Sequence, residues 1–299
     1  MEVSRCPPTS QGAFSLHLGE ARPISLTPVL SKVLEHFVAS WVMEAAKDTI
    51  DKHQFGSMRG SSTVHALIEL VHQWQQALDT PGRRVRLLFL DFSKAFDRVD
   101  HTLLLQKIAN LGIPDFLVRW LTSFLCHRQQ RVKLGTVLSE WTSINAGIPQ
   151  GTVLGPIGFL LHINDLQTIC RSVKYVDDTT IWEACATDFH DSNLQTASDQ
   201  AAEWSKKNLM KVNSDKSKTM EIAFSRKDHD IPPIRLDGEV LESVQTFKLL
   251  GVIISSDLSW SAHVDYLHGK CSSRENPYGL RHYKNIPISR LKKSDSHKF

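Results

Sequence analysis

Asp177 and Asp178 stand side by side in KYVDDTT, residues 174–180, between flanks that favour strands. Carboxylates are hard oxygen ligands, and a pair at a strand tip suits Mg²⁺. The same string also suits an ordinary hairpin turn, because Asp side chains hydrogen-bond nearby backbone. A third acidic residue bears on the choice. Asp91 ends the apolar run RVRLLFLDF, residues 84–92, which reads as a buried strand. If that strand and the hairpin are neighbours in one sheet, Asp91, Asp177 and Asp178 converge at one edge. Crowded carboxylates repel and raise one another's pKa unless a cation neutralises them. Two Mg²⁺ ions about 4 Å apart, bridged by such groups, stabilise both the attacking and leaving oxygens of an in-line displacement at phosphorus. The protein then supplies position and charge rather than covalent chemistry. Nucleotidyl transfer fits: a primer 3′-hydroxyl attacks the α-phosphate of a nucleotide and pyrophosphate leaves.

Other stretches agree with that chemistry. Phe96 follows Asp91 within FSKAFDRVDH, where an aromatic ring can pack under a bound sugar. GIPQGTVLGP, residues 147–156, precedes the hairpin; its glycines let backbone approach a ligand, and Gln150 offers an amide donor and acceptor. NSDKSKTM, residues 213–220, places Lys216 and Lys218 within reach of a polyphosphate.

The elements that must position these residues are legible in the periodicity. Helices are expected over 28–46 and 62–78, the first with Val29, Val33, Phe37 and Trp41 as a core-facing stripe. Two helices, TLLLQKIANLG and PDFLVRWLTSFL, follow the Asp91 strand, with Asp97 and Asp100 as helix-start residues. QQRVKLG and EWTSINAG read as short strands, IGFLLHINDLQTIC as an apolar helix and LQTASDQAAEWSKKNL as another helix. KTMEIAFS and FKLLGVIISS read as strands, with a small hairpin turning at Asp237-Gly238 between them. A last helix begins near Trp260. Strand, helices, strand pair, helix and strands make an α+β order rather than a repeated βαβ unit.

The 299 residues are 41% hydrophobic and 22% charged, enough for a sizeable core and one or two domains. A net charge of +3 is compatible with a nucleic-acid partner without demanding one. The five cysteines form no C-x-x-C pair, which argues against a zinc ribbon and for a reduced intracellular setting. Neither a signal-peptide apolar region nor a membrane-spanning run is seen, so an intracellular protein, nuclear or cytoplasmic, with no membrane partner is expected.

Seven blocks in order carry a family resemblance: RPISLTPVLSKVLE, QFGSMRGSSTVHAL, LDFSKAFDRVDH, GIPQGTVLGPIGFLLHINDL, KYVDDTT, NLMKVNSDKSKTM and FKLLGV. From about Arg22 to Trp260 the chain resembles the reverse transcriptases of non-LTR, jockey-like retrotransposons. The resemblance implies a right-hand polymerase with a palm built on an antiparallel sheet, fingers, and a partial thumb. It implies an RNA template, a DNA primer, deoxynucleoside triphosphates and two Mg²⁺ ions, with Mn²⁺ as a substitute. Asp91, Asp177 and Asp178 match the catalytic, metal-binding aspartates, and Phe92 would lend its main-chain carbonyl to a metal. Phe96 matches the gate that rejects a ribose 2′-hydroxyl. Gln150 and Gly151 match the loop lining the incoming nucleotide and template; Arg59 falls in the fingers block that contacts either. Lys216 matches the lysine proposed to protonate pyrophosphate. Phe247 to Val252, with Leu249, Leu250 and Gly251 at the turn, match the primer grip.

The implied division is an irregular segment over 1–20, fingers and palm over 21–258, and the start of a thumb over 259–299. Both ends depart from the family: the basic fingers strand is replaced by CPPTSQGAFSLHLGEA, and the thumb helix runs into RENPYGLRHYKNIPISRLKKSDSHKF. A truncated copy is one explanation, so a non-catalytic remnant that folds as a palm and binds nucleic acid is the rival reading. An RNA-templated RNA polymerase is a third, against which Phe96 argues. Plain alternatives stand beside several residues. Phe96 can be core, Gln150 a loop hydrogen-bonder, and Arg59 a solvated surface residue, since this chain has Ser57-Met58-Arg59 where many relatives have aromatic-Arg-Lys. Either Lys216 or Lys218 can serve the polyphosphate.

Overall fold

The computed structural model describes residues 2–3, 25, 27–134, 136–224 and 232–272. The chain divides into two compact units, Met1–Val244 and Gln245–Phe299. Within the first unit the elements are β1 (Glu2–Val3), α1 (Val29–Ala46), α2 (Thr63–Leu78), β2 (Arg83–Leu90), α3 (Ala95–Arg98), α4 (His101–Asn110), α5 (Asp115–Leu125), β3 (Gln129–Leu134), β4 (Val137–Leu138), β5 (Thr142–Ser143), α6 (Leu154–Ile163), β6 (Arg171–Tyr175), β7 (Asp178–Ala186), α7 (Leu194–Lys207), β8 (Lys218–Ile222), β9 (Arg235–Leu236), β10 (Glu239–Val240) and β11 (Glu242–Ser243). The second contains β12 (Thr246–Leu249), β13 (Val252–Ser255) and α8 (Ser261–Ser272). Most of the irregular segment expected over 1–20, and the broken periodicity expected from Arg274 onward, lie outside the described residues. Glu2–Val3 instead form a strand paired with β3.

The central sheet has strand order β11-β8-β2-β7-β6, antiparallel except where β11 joins β8. β2 lies in the middle, which is why its sequence is a nearly continuous apolar run: every residue from Arg84 to Leu90 is buried. Leu88 and Leu90 join the main core with Phe159 and Leu160 of α6 and Ala197, Ala201 and Trp204 of α7. α2, with Ala66, Leu70 and Trp74 buried, packs against β2, β6 and β7. The buried guanidinium of Arg84 pairs with Glu221 of β8, and Arg86 donates to Ser192 Oγ at 2.8 Å and the Pro232 carbonyl at 2.6 Å. Buried charge on a central strand is tolerable only when paired in this way.

The stripe expected to face the core from α1 faces outward instead. Val29, Val33, Phe37 and Trp41 are 77%, 48%, 56% and 53% exposed. Glu35, Val38, Ala39, Val42 and Ala46 are the buried face. The helix carries two apolar stripes, and a polar contact selects between them. Glu35 Oε2 accepts from the Val153 and Leu154 N–H groups at 2.7 and 3.2 Å, satisfying orphan donors at the start of α6.

Two further expectations need correction. The helix expected through Cys170 ends at Ile163, because the Asn164 carboxamide turns to the Asp51 N–H and the Thr49 carbonyl, at 2.8 and 2.9 Å. FKLLGVIISS is a hairpin rather than one strand: β12 and β13 are antiparallel, with Leu249 opposite Val252 and Leu250 and Gly251 at φ 48° and 93°. The Asp237-Gly238 turn forms as expected, between β9 and β10 with both φ values positive. Among the described residues, Cys126, Cys170, Cys185 and Cys271 are free thiols, and no helix is long and apolar enough to cross a membrane.

Candidate active site

Strand register brings the aspartates to one sheet edge. β2 and β7 are antiparallel with Leu90 opposite Thr179, so the next residues outward are Asp91 and Asp178. β6 and β7 pair through Tyr175 and Asp178, which leaves Val176 and Asp177 as a two-residue turn. The turn places Asp177 beside the other two carboxyls. Asp178 is exposed as a residue, yet its carboxyl is pushed up to about 6, by desolvation first and then by the charges of Asp177 and Asp91.

Asp91 is held by the loop before β8. Its N–H donates to Ser217 Oγ at 3.0 Å, its carbonyl accepts from the Asn213 N–H at 2.9 Å, and its Oδ2 accepts from Asn213 Nδ2 at 2.9 Å. Phe92 buries its ring against Trp204, with centroids 5.9 Å apart, so only its main chain faces the site. The bridge between Phe92 and Val212 uses the Asp91 carbonyl and the Ser93 N–H, and so does not consume the Phe92 carbonyl.

A charge cluster of this kind fits a divalent cation. The donors are hard oxygens, and the Asp178 carboxyl, raised first by desolvation, also feels the neighbouring charges of Asp177 and Asp91. Among the described residues, however, no three carboxylate, imidazole or thiol side chains are close enough together to enclose a metal ion. The aspartates are electrostatic neighbours rather than a closed ligand shell.

The second wall forms where the segment after Asp91 meets the loop before α6. Gly147 N–H donates to the Val99 carbonyl and Ile148 N–H to the Phe96 carbonyl, each at 2.8 Å. A Cβ at Gly147 would sit 3.0 Å from the Asp97 carbonyl, and its φ is +88°, so glycine is required twice over. Asp100 caps α4 by accepting from the Leu103 N–H at 2.9 Å. Gln150 Nε2 donates to Asp97 Oδ1 at 3.1 Å, so its carboxamide is oriented by the protein. Gly151 is exposed with φ +86°. Phe96 is half-buried and stacks on Phe159 at 4.8 Å, which combines the core and site readings of that ring.

The two lysines separate. Lys218 pairs with Glu242 at 2.8 Å and donates to the Asp215 carbonyl. Lys216 is exposed, and among the described residues its ammonium has no partner. Arg59 is likewise exposed, in a turn with Gly60 at φ +79°. No contact joins Arg59 to the aspartates among the described residues. Phe247, Leu249, Leu250 and Gly251 all fall on the β12–β13 hairpin of the second unit, with Leu249 buried there.

Sequence reasoning missed Asn213, Ser217, Gln54 and Glu35. Asn213 and Ser217 lie inside NSDKS and flank the lysine that drew attention. The signal was an Asx-type pattern whose partner lies far away in the chain.

A sheet of this order, with acidic residues at the ends of its central strands, defines a right-hand polymerase palm. Solved telomerase structures share the fold. One from Candida tropicalis in complex with a fragment of telomeric RNA superposes with a TM-score of 0.51 at 12% identity, covering 78% of this chain and 38% of that one. The apo telomerase of the same organism gives 0.51 at 13% identity, over 77% and 40%. The model of the family described as reverse transcriptase (RNA-dependent DNA polymerase) matches residues 10–254, and the chain belongs to that family. Among its relatives, a probable RNA-directed DNA polymerase from transposon X-element of Drosophila melanogaster is 32% identical, over 81% of this chain and 27% of its own length. The RNA-directed DNA polymerase from mobile element jockey of the same fly is 29% identical over 81% and 28%. The chain thus spans little more than a quarter of the length of these relatives.

Proposed function

We propose that this chain is the RNA-directed DNA polymerase domain of a non-LTR retrotransposon, with fingers and palm over 21–258 and the start of a thumb over 259–299. The observation that carries the reading is the register that sets Asp91 beside Asp178, with Asp177 in the adjoining turn. Asp91, Asp177, Asp178 and the Phe92 carbonyl would hold two Mg²⁺ ions, or Mn²⁺ in their place. Bound there, the ions would supply charge stabilisation to the oxygens of the phosphoryl transfer. Asn213 and Ser217 orient Asp91 by the hydrogen bonds they make to it. Phe96, propped by Phe159, excludes a ribose 2′-hydroxyl and so selects deoxynucleoside triphosphates. Gln150, fixed by Asp97, and Gly151 line the incoming nucleotide and template. Lys216 is better placed than Lys218 to approach the polyphosphate, because the Lys218 ammonium is already paired. Arg59 contacts nucleotide or template, and Phe247, Leu249, Leu250 and Gly251 grip the primer.

The test is extension of a DNA primer on an RNA template with deoxynucleotides and Mg²⁺ or Mn²⁺, beside Asp177→Asn. Metal-dependent extension that disappears in the variant supports the proposal. One second reading is a palm that binds nucleic acid without turning over. Folded protein that binds template–primer, with and without Asp177→Asn, and never extends it would establish that reading instead.

A further inference from the structure

Val176 occupies the first position of the turn that carries Asp177, with φ +61°. A β-branched residue is a genuine outlier there, because its Cβ crowds the backbone in the left-handed region. Something must hold the turn in place. In a two-residue hairpin loop the central N–H groups take no part in the strand ladder. The Val176 N–H nevertheless has a partner: it donates to Gln54 Oε1 at 3.1 Å. The same oxygen accepts from the Gly56 N–H at 2.9 Å, and Gln54 is 5% exposed.

The segment around Gln54 meets β6 of the hairpin at a single parallel bridge. Lys174 N–H donates to the His53 carbonyl at 2.9 Å and Phe55 N–H to the Lys174 carbonyl at 2.8 Å, around a parallel bridge between Gln54 and Lys174. Side chains pin the register. The fully buried Lys174 ammonium pairs with Asp51 Oδ2 at 2.9 Å. At Gly56 the approach is so close that a Cβ would meet the Val176 nitrogen at 2.3 Å. The strip 51–56 therefore clasps the tip of the carboxylate hairpin.

We infer that Gln54 is a positioning residue for the carboxylate turn: its amide oxygen holds Val176 left-handed and so aims Asp177 at the site. Gly56 is glycine because the clasp leaves no room for a side chain. The inference rests on the proposed metal-dependent reading of Asp177. It also links Arg59, three residues after Gly56, to the turn through a continuous backbone.

The test uses the full chain and reads amide hydrogen exchange, Mn²⁺ affinity and primer extension. In the unaltered protein the Val176 amide is expected to be protected, since among the described residues its hydrogen-bond partner is Gln54 Oε1; free exchange at that amide would overturn the inference without any variant. Gln54→Met keeps length and removes the acceptor. The loss of one such bond predicts exchange at Val176 faster by about tenfold and Mn²⁺ binding weaker by about fivefold, measured by paramagnetic resonance with Asp177→Asn as reference. In extension assays kcat falls by about tenfold while the nucleotide KM changes by less than about threefold. A folded Gln54→Met protein with unchanged Val176 exchange and unchanged Mn²⁺ affinity sinks the inference. Faster exchange and weaker Mn²⁺ binding, in a chain that extends no primer under any condition, would uphold the positioning role and remove the polymerase proposal instead.

Discussion

Asn213 Nδ2 donates to Asp91 Oδ2 at 2.9 Å, while the Asn213 N–H donates to the Asp91 carbonyl at the same distance. One residue thus fixes both the backbone and the carboxylate of the strand-end aspartate. Ser217 completes the hold through the Asp91 N–H. Hydrogen bonds to a charged acceptor contribute about 1.5–3 kcal/mol. Asn213→Ala is therefore expected to lower kcat by about ten- to a hundredfold, with little change in template–primer affinity. Single-turnover extension beside a binding titration measures both, and wild-type turnover in the variant would exclude this role.

Phe96 is expected to show a mixed effect because its ring is half-buried on Phe159. Phe96→Val should raise incorporation of ribonucleotides relative to deoxynucleotides. It should also lower stability by about 1–3 kcal/mol through lost packing. Competing-substrate extension and urea unfolding separate the two. An unchanged substrate ratio with lowered stability would leave Phe96 as core alone.

Glu35 sits buried at the start of α6 and accepts from two backbone N–H groups. Removing it strands those donors. Glu35→Ala is expected to destabilise the first unit by about 2–4 kcal/mol, and Glu35→Gln by less, since the amide oxygen still accepts. Trp41→Gln, on the exposed side of the same helix, should cost within about 0.5 kcal/mol. Denaturant midpoints compare the three, and the opposite ranking would place the core on the other stripe.

His162 on α6 is fully buried, and its pKa is lowered to about 4 by burial and then by the Lys107 charge, against smaller opposing contributions from Asp165 and Asp100. Neither ring nitrogen has a hydrogen-bond partner among the described residues. Below the ordinary histidine pKa the unfolded chain binds a proton that the folded chain refuses. Stability from this group is thus complete above pH 6.5 and is lost as pH falls towards about 4. The slope is up to about 1.4 kcal/mol per pH unit. Unfolding free energies across that window should lose this slope in His162→Leu; the same slope in both proteins would assign it to other groups.

Local pattern made much of this protein legible. The apolar run of residues 84–90 marked a strand buried on both faces, and KYVDDTT marked a hairpin, because burial and turn chemistry act on neighbours along the chain. Order of blocks then identified the family without any coordinate. α1 marks the limit. Its outer stripe, Val29, Val33, Phe37 and Trp41, is more apolar than the face that packs, so periodicity chose the wrong side.

What only the tertiary structure decided are the contacts that cross the chain. Gln54 meets Val176 and Asn213 meets Asp91 across 122 residues each, and Glu35 meets Val153 across 118. Sequence by itself determined which residues carry charge, where most of the strands and helices lie, and that Asp91 and the Asp177-Asp178 pair end strands. Folding decided which side chains orient them. A hydrogen bond is set by distance and angle within a few tenths of an ångström, and no periodicity along the chain encodes a partner a hundred residues away.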